Sequence, residues 1–152
     1  MTDPRDVIER WYKCLGSADL EGFAALHADD VVYNIGGRTE ISGRWHGKEV
    51  MFGTIIPKVF AALDPTALEF ARPYRVFAVE GPNVAGLMVG GGRTHDGDEY
   101  VQNYAHFFTV SDGLIVEVWE LFDTELAQAR LFGKPLTVAP EPEPGQRFAV
   151  GG

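Results

Sequence analysis

The sequence predicts an α+β domain in which a curved antiparallel sheet and about three N-terminal helices enclose one apolar, aromatic-lined pocket. Three observations lead there. Hydrophobic periodicity runs helix, helix, strand, helix and then four strands, and such segregation argues against a doubly wound parallel sheet. The last two strands are joined by the turn residues Ser111-Asp112-Gly113. The length, 152 residues with 45% hydrophobic, suits one domain with a substantial core.

The first helix spans about residues 3 to 16, where Val7, Ile8, Trp11, Cys14 and Leu15 form an apolar stripe ended by Gly16-Ser17. Asp19 is a good N-cap for a second helix carrying Leu20, Phe23, Ala24 and His27 on one side. The β-branched and aromatic run 31 to 35 reads as a strand, and 36 to 46, with three glycines, as a loop. A third helix covers Gly47 to Leu63, with Pro57 expected to kink or restart it. Strands follow at about 67 to 80, 84 to 92, 98 to 110 and 114 to 122, then a short helix from Thr124 to Leu131. Residues 1–133 thus form one domain. Residues 134–152 form a Pro/Gly-rich tail, holding four of the nine prolines and expected to be extended or disordered.

The net charge of −9 opposes binding to phosphate backbones and anionic membranes, so neither nucleic acid nor membrane is an expected partner. The opening MTDPRDVIER has no apolar signal stretch, which places the protein in the cytoplasm. Cys14 stands alone and reads as a small hydrophobe. His27, His46 and His95 lack ligand spacing, so no metal or cofactor is expected. Gly90-Gly91-Gly92 lacks the features of a phosphate loop and should bend a strand or leave room for a ligand.

The final hairpin carries the chemistry. A three-residue loop with Gly113 in the left-handed position sets Val110 opposite Leu114, His106 opposite Val118 and Tyr104 opposite Glu120. His106 and Glu120 are then diagonal neighbours on one face, with Gln102, Tyr104, Phe108, Val116 and Val118. A two-residue Asp-Gly turn would instead put them on opposite faces. An apolar wall disfavours the charged form of a carboxyl, which equips Glu120 as a general acid or base that His106 could orient. The opposite face, with Asn103, Phe107, Glu117, Trp119 and Leu121, is apolar enough for a dimer interface. On the first strand Tyr33 shares parity with Val31 and Ile35, so Tyr33 is favoured to point inward as a hydroxyl donor, with Asn34 second. Trp11, Phe52, Phe60 and Phe122 are candidate walls, and Trp45 a candidate lid.

The segments HADDVVYNIGG, GRWHGKEVM and YAHFFTVSDGLIVEVWELFD resemble the SnoaL-like, polyketide cyclase-like branch of the nuclear transport factor 2-like superfamily, over about residues 5 to 132. The resemblance implies a cone-shaped fold with a deep pocket, commonly dimeric through the outer sheet face. Aligned on Asp112-Gly113, the cyclases' strand histidine and acid/base carboxylate fall on His106 and Glu120, the latter one methylene longer than their Asp. The ketosteroid isomerase pattern fails, with Trp11, Ile35 and Ala105 at its functional positions. The epoxide hydrolase pattern fails at Met88 and Gly90.

Together these readings describe a cofactor-independent proton-transfer enzyme of cyclase, isomerase or hydratase (lyase) type. Glu120 and His106 are its catalytic pair. Tyr33, Asn34, Tyr104, Trp11, Trp45, Phe52, Phe108 and Val118 hold a hydrophobic, carbonyl-bearing ligand. The alternatives are a non-catalytic ligand-binding protein and a self-associating interaction domain.

Overall fold

The computed structural model describes residues 2–133. Asp3 caps helix α1 (Pro4–Gly16) by accepting from the Arg5 N–H, and Pro4 sits where no intrahelical donor is needed. Asp19 likewise caps α2 (Leu20–Ala25) through the Gly22 N–H. Helix α3 (Lys48–Val50) widens into a π-helical stretch (Met51–Ile55) and tightens again in α4 (Ile56–Ala61). Pro57, which cannot donate and crowds the preceding turn, accounts for that restart.

Six strands, β1 (His27–Ile35), β2 (Gly43–His46), β3 (Glu69–Glu80), β4 (Asn83–Arg93), β5 (Glu99–Ser111) and β6 (Leu114–Phe122), form one sheet ordered β2-β1-β6-β5-β4-β3. Helix α5 (Thr124–Leu131), capped by Asp123, follows β6. The helices cover one face, and between them and the sheet lies a core that includes Val7, Ile8, Trp11, Val31, Tyr100 and Ile115.

Four expectations need correction. The sheet is not wholly antiparallel, because β1 runs parallel to β6. His27 opens β1 rather than lying on α2, since α2 ends at Ala25 and the chain turns at Leu26. The expected loop contains β2, which pairs Tyr33 with Trp45 and is too short for its period to show. The fourth correction concerns the hairpin. Asp112 and Gly113 have φ of 51° and 78°, so they make a two-residue turn and Ser111 pairs with Leu114. Continued without interruption, that register would separate His106 from Glu120. A bulge follows, however: Val110 pairs with Ile115 but Thr109 with Glu117, leaving Val116 as the extra residue. Parity is thereby restored, and His106 sits directly opposite Glu120. Ile115, rather than Val116, is the buried residue at the strand's start.

The glycines of β4 make room for side chains and backbone. A Cβ at Gly90 would run into the Phe70 ring, one at Gly92 into the Ala67 carbonyl, and one at Gly86 into the Tyr12 ring and hydroxyl. The proline-rich segment from 134 onward lies outside the described residues.

Candidate ligand cavity and acid–base site

Strand β5 alternates cleanly, with Tyr100, Gln102, Tyr104, His106 and Phe108 buried while Val101, Asn103 and Phe107 face outward. Its inner face, with that of β6 and the helices, bounds a cavity that opens to solvent. The walls are almost wholly apolar and aromatic, from Trp11 and Phe23 on one side to Phe70 and Phe122 on the other. Among the described residues lining it, Glu120 is the one charged side chain, and there is no Lys, Arg or His.

The Glu120 side chain is 18% exposed, and its Oε2 lies 2.9 Å from His106 Nε2. The imidazole is wholly buried, and its Nδ1 lies 3.1 Å from the Tyr12 hydroxyl. With a neutral ring one proton order satisfies all three groups: Tyr12 O–H donates to Nδ1 and Nε2–H donates to the Glu120 carboxylate. Burial first, then the negative charges of Glu120 and Glu9, pushes the Tyr12 phenol well above its ordinary range, so it stays protonated. Tyr74 stacks on Tyr12 at 4.8 Å and donates to Glu9. Tyr12 lies one helical turn beyond Ile8 on the apolar stripe, and that spacing was the signal available for it.

A second network surrounds His27. The Phe23 carbonyl can only accept, so His27 Nδ1 carries the proton across that 2.9 Å contact and Nε2 is an acceptor. Nε2 receives the Trp11 indole N–H at 3.1 Å and the Tyr33 hydroxyl at 2.7 Å. Burial pulls the imidazole down to about 4, so it is neutral at physiological pH. A third network joins Gln102, Tyr100 and Tyr104.

Among known families, that of the SnoaL-like domain matches residues 8–118. The chain belongs to that family. The span matched in this SnoaL-like domain includes His106 and ends just before Glu120. No curated protein matches the chain. Solved structures show the fold. A Xanthomonas campestris protein of unknown function with a cystatin-like fold is 18% identical, with 86% of this chain and 98% of that one covered at a TM-score of 0.73. A suggested polyketide cyclase from Pseudomonas putida is 19% identical, with 86% and 99% covered at 0.69. TerC, co-crystallised with polyporic acid, is 19% identical, with 86% and 98% covered at 0.70. A Burkholderia thailandensis protein called NTF2-like, 18% identical, shares the same fold at a TM-score of 0.69.

The fold brings Glu120, Tyr33, Tyr104 and Trp11 to the cavity wall. It leaves His106 behind Glu120, and Phe108 and Val118 in the core beneath. Phe52 packs against Phe23 and His27 instead of the cavity. Asn34 points to the outer face, donating to Glu117 Oε1 at 2.9 Å and accepting from Arg44, because alternation sends it opposite Tyr33. Trp45 is no lid: its indole donates to the Ile41 carbonyl at 2.8 Å and does not line the cavity. Tyr33 does face inward, but its proton goes to His27 Nε2, which corrects its reading as a donor to ligand. Tyr12 and Tyr100, missed as site residues, and Gln102, read from the sequence as part of the shared face, complete the networks.

Proposed function

We propose that this SnoaL-like domain catalyses cofactor-independent proton transfer on an uncharged, hydrophobic, ring-containing ligand that bears a carbonyl group. One observation carries the reading: among the described residues a single carboxylate, gripped through one oxygen by a buried imidazole, stands in an otherwise uncharged apolar cavity. The Glu120 carboxylate takes a proton from the carbon next to the carbonyl, and the electron pair released moves onto the carbonyl oxygen. The protonated carboxyl then returns the proton at a different atom. Returned to another carbon it gives an isomer, and given to a departing hydroxyl it gives dehydration. Where the ligand bears a second carbonyl, the enolate carbon attacks it, its C=O π bond opens and its oxygen takes the proton, which gives cyclisation. His106 holds Glu120 in place through its Nε2–H, and Tyr12 fixes the His106 ring from behind. Anionic ligands are disfavoured, since among the described residues no cation lines the wall to offset Glu120.

The test uses β-tetralone, a neutral bicyclic ketone with acidic α-hydrogens, incubated in heavy water and followed by NMR. The wild-type protein is expected to accelerate α-deuteration, and Glu120→Gln to lose about 10²- to 10⁴-fold of that acceleration. Equal rates in the two proteins remove Glu120 from the mechanism. Binding without any acceleration supports the second reading, a ligand carrier, which the apolar wall favours and which drops only the proton transfer.

Self-association through the outer sheet face is part of the same proposal. Phe77 and Phe107 are 54% and 51% exposed there, with Leu87, Val101 and Leu121 also exposed. Paired positions run Leu87, Ala105 and Leu121 across three strands, making the patch continuous. Light scattering over a concentration series is expected to show dimers that Phe107→Asp converts to monomers. A wild-type protein that stays monomeric throughout removes the interface.

A further inference from the structure

We infer that Tyr104 is the hydrogen-bond donor that captures the ligand's carbonyl oxygen, held in that role by a relay from Gln102 through Tyr100. Its catalytic use rests on the proton transfer proposed above, whereas the hydrogen bond itself would hold a ligand whether or not a proton moves.

The direction of the relay as far as Tyr100 follows from groups that can act in only one way. The Asp123 backbone N–H can only donate, and it meets Gln102 Oε1 at 2.6 Å. That contact turns the amide NH2 toward Tyr100, whose oxygen it reaches at 2.6 Å. Tyr100 and Tyr104 then share one hydrogen bond at 2.7 Å. Two phenol protons meet one mutual bond, so one O–H is left to donate into the cavity that both rings line. Tyr100 already accepts from Gln102, which polarises its own O–H toward Tyr104. The remaining proton is therefore that of Tyr104.

Burial raises the Tyr104 phenol well above its ordinary range and pushes Tyr100 up to about 12, so both remain neutral donors at physiological pH. The other phenols near the site are committed elsewhere: Tyr33 donates to His27 and Tyr12 to His106. Tyr104 sits two residues before His106 on β5, and His106 faces Glu120. Donor and carboxylate are therefore diagonal neighbours on one wall. A ketone whose oxygen rests on Tyr104 turns its α-carbon toward Glu120. The electron pair that leaves the C–H bond then arrives on the oxygen that Tyr104 holds.

The experiment measures binding, not turnover, so failure of the proton-transfer reading leaves its outcome untouched. Dissociation constants for β-tetralone and for tetralin, the same bicycle without oxygen, are compared by calorimetry in wild type, Tyr104→Phe and Tyr100→Phe. The infrared carbonyl stretch of bound β-tetralone is recorded in each. Tyr104→Phe is expected to weaken the ketone about 3- to 10-fold, leave tetralin within about twofold, and raise the carbonyl frequency. Tyr100→Phe, acting only on position and polarisation, is expected to raise the frequency less, with tetralin affinity again unchanged. Equal losses for both ligands, an unmoved carbonyl band, a larger effect at Tyr100 than at Tyr104, or failure of wild type to bind the ketone each overturn the assignment.

Discussion

Two imidazoles are buried in this domain, and the groups around them assign them different work. His27 donates to a backbone carbonyl, accepts from Trp11 and Tyr33, and so closes its circuit inside the protein. His106 lies between a tyrosine and a carboxylate, and that carboxylate reaches the cavity. Both rings are 1% exposed or less. Burial therefore does not mark a site; what matters is whether a histidine's partners end inside the fold or open onto the ligand.

Acid exposes the closed circuit most strongly. Unfolded, His27 takes up a proton near 6.5; folded, burial delays that to about 4. The unfolded chain binds more protons in that window, so this contribution to stability is complete above pH 6.5 and is lost as pH falls toward 4. Denaturant titrations are expected to show a loss of roughly 3 kcal/mol from this residue. His27→Gln should flatten that part of the slope, and an unchanged slope breaks the comparison.

Turnover gives the next largest contrast. His106→Phe is expected to slow α-deuteration by up to about 100-fold, since Glu120 loses the partner that orients it. The same substitution at His27 should leave the rate per folded molecule unchanged. Equal losses at both positions would make both rings structural.

Gly86 sharpens the open side. It pairs with His106 across β4 and β5, and any Cβ there meets the Tyr12 hydroxyl. Gly86→Ala is expected to cost about 2 kcal/mol of stability and to displace Tyr12, visible as a changed tyrosine environment in near-UV circular dichroism. The smallest effect belongs to Tyr33→Phe, about 1 kcal/mol for one hydrogen bond to His27, with ketone and tetralin affinities equally unaffected. A selective loss of ketone binding there would return the donor role to Tyr33.

Much of the fold is legible along the chain. The stripe Val7, Ile8, Trp11, the cap Asp19, the proline restart at Pro57 and the strand bounds Leu114–Phe122 all follow from local chemistry. What escaped notice is of two kinds. Short elements such as β2 carry too few residues to reveal a period. Long-range partners leave no local trace: Tyr12 and His106 are 94 positions apart, yet bond side chain to side chain.

The hairpin shows where that boundary falls. Alternation along Glu99–Ser111 determines by itself that Tyr100, Gln102, Tyr104 and His106 share one face, because successive side chains on a strand must point oppositely. Which residues of β6 join them was decided only by the folded sheet. The Asp112-Gly113 turn displaced the register by one, and the bulge at Val116 displaced it by one more in the same direction, which restored the facing and brought Glu120 opposite His106. A bulge depends on packing against neighbouring strands and helices, which no single strand's sequence contains.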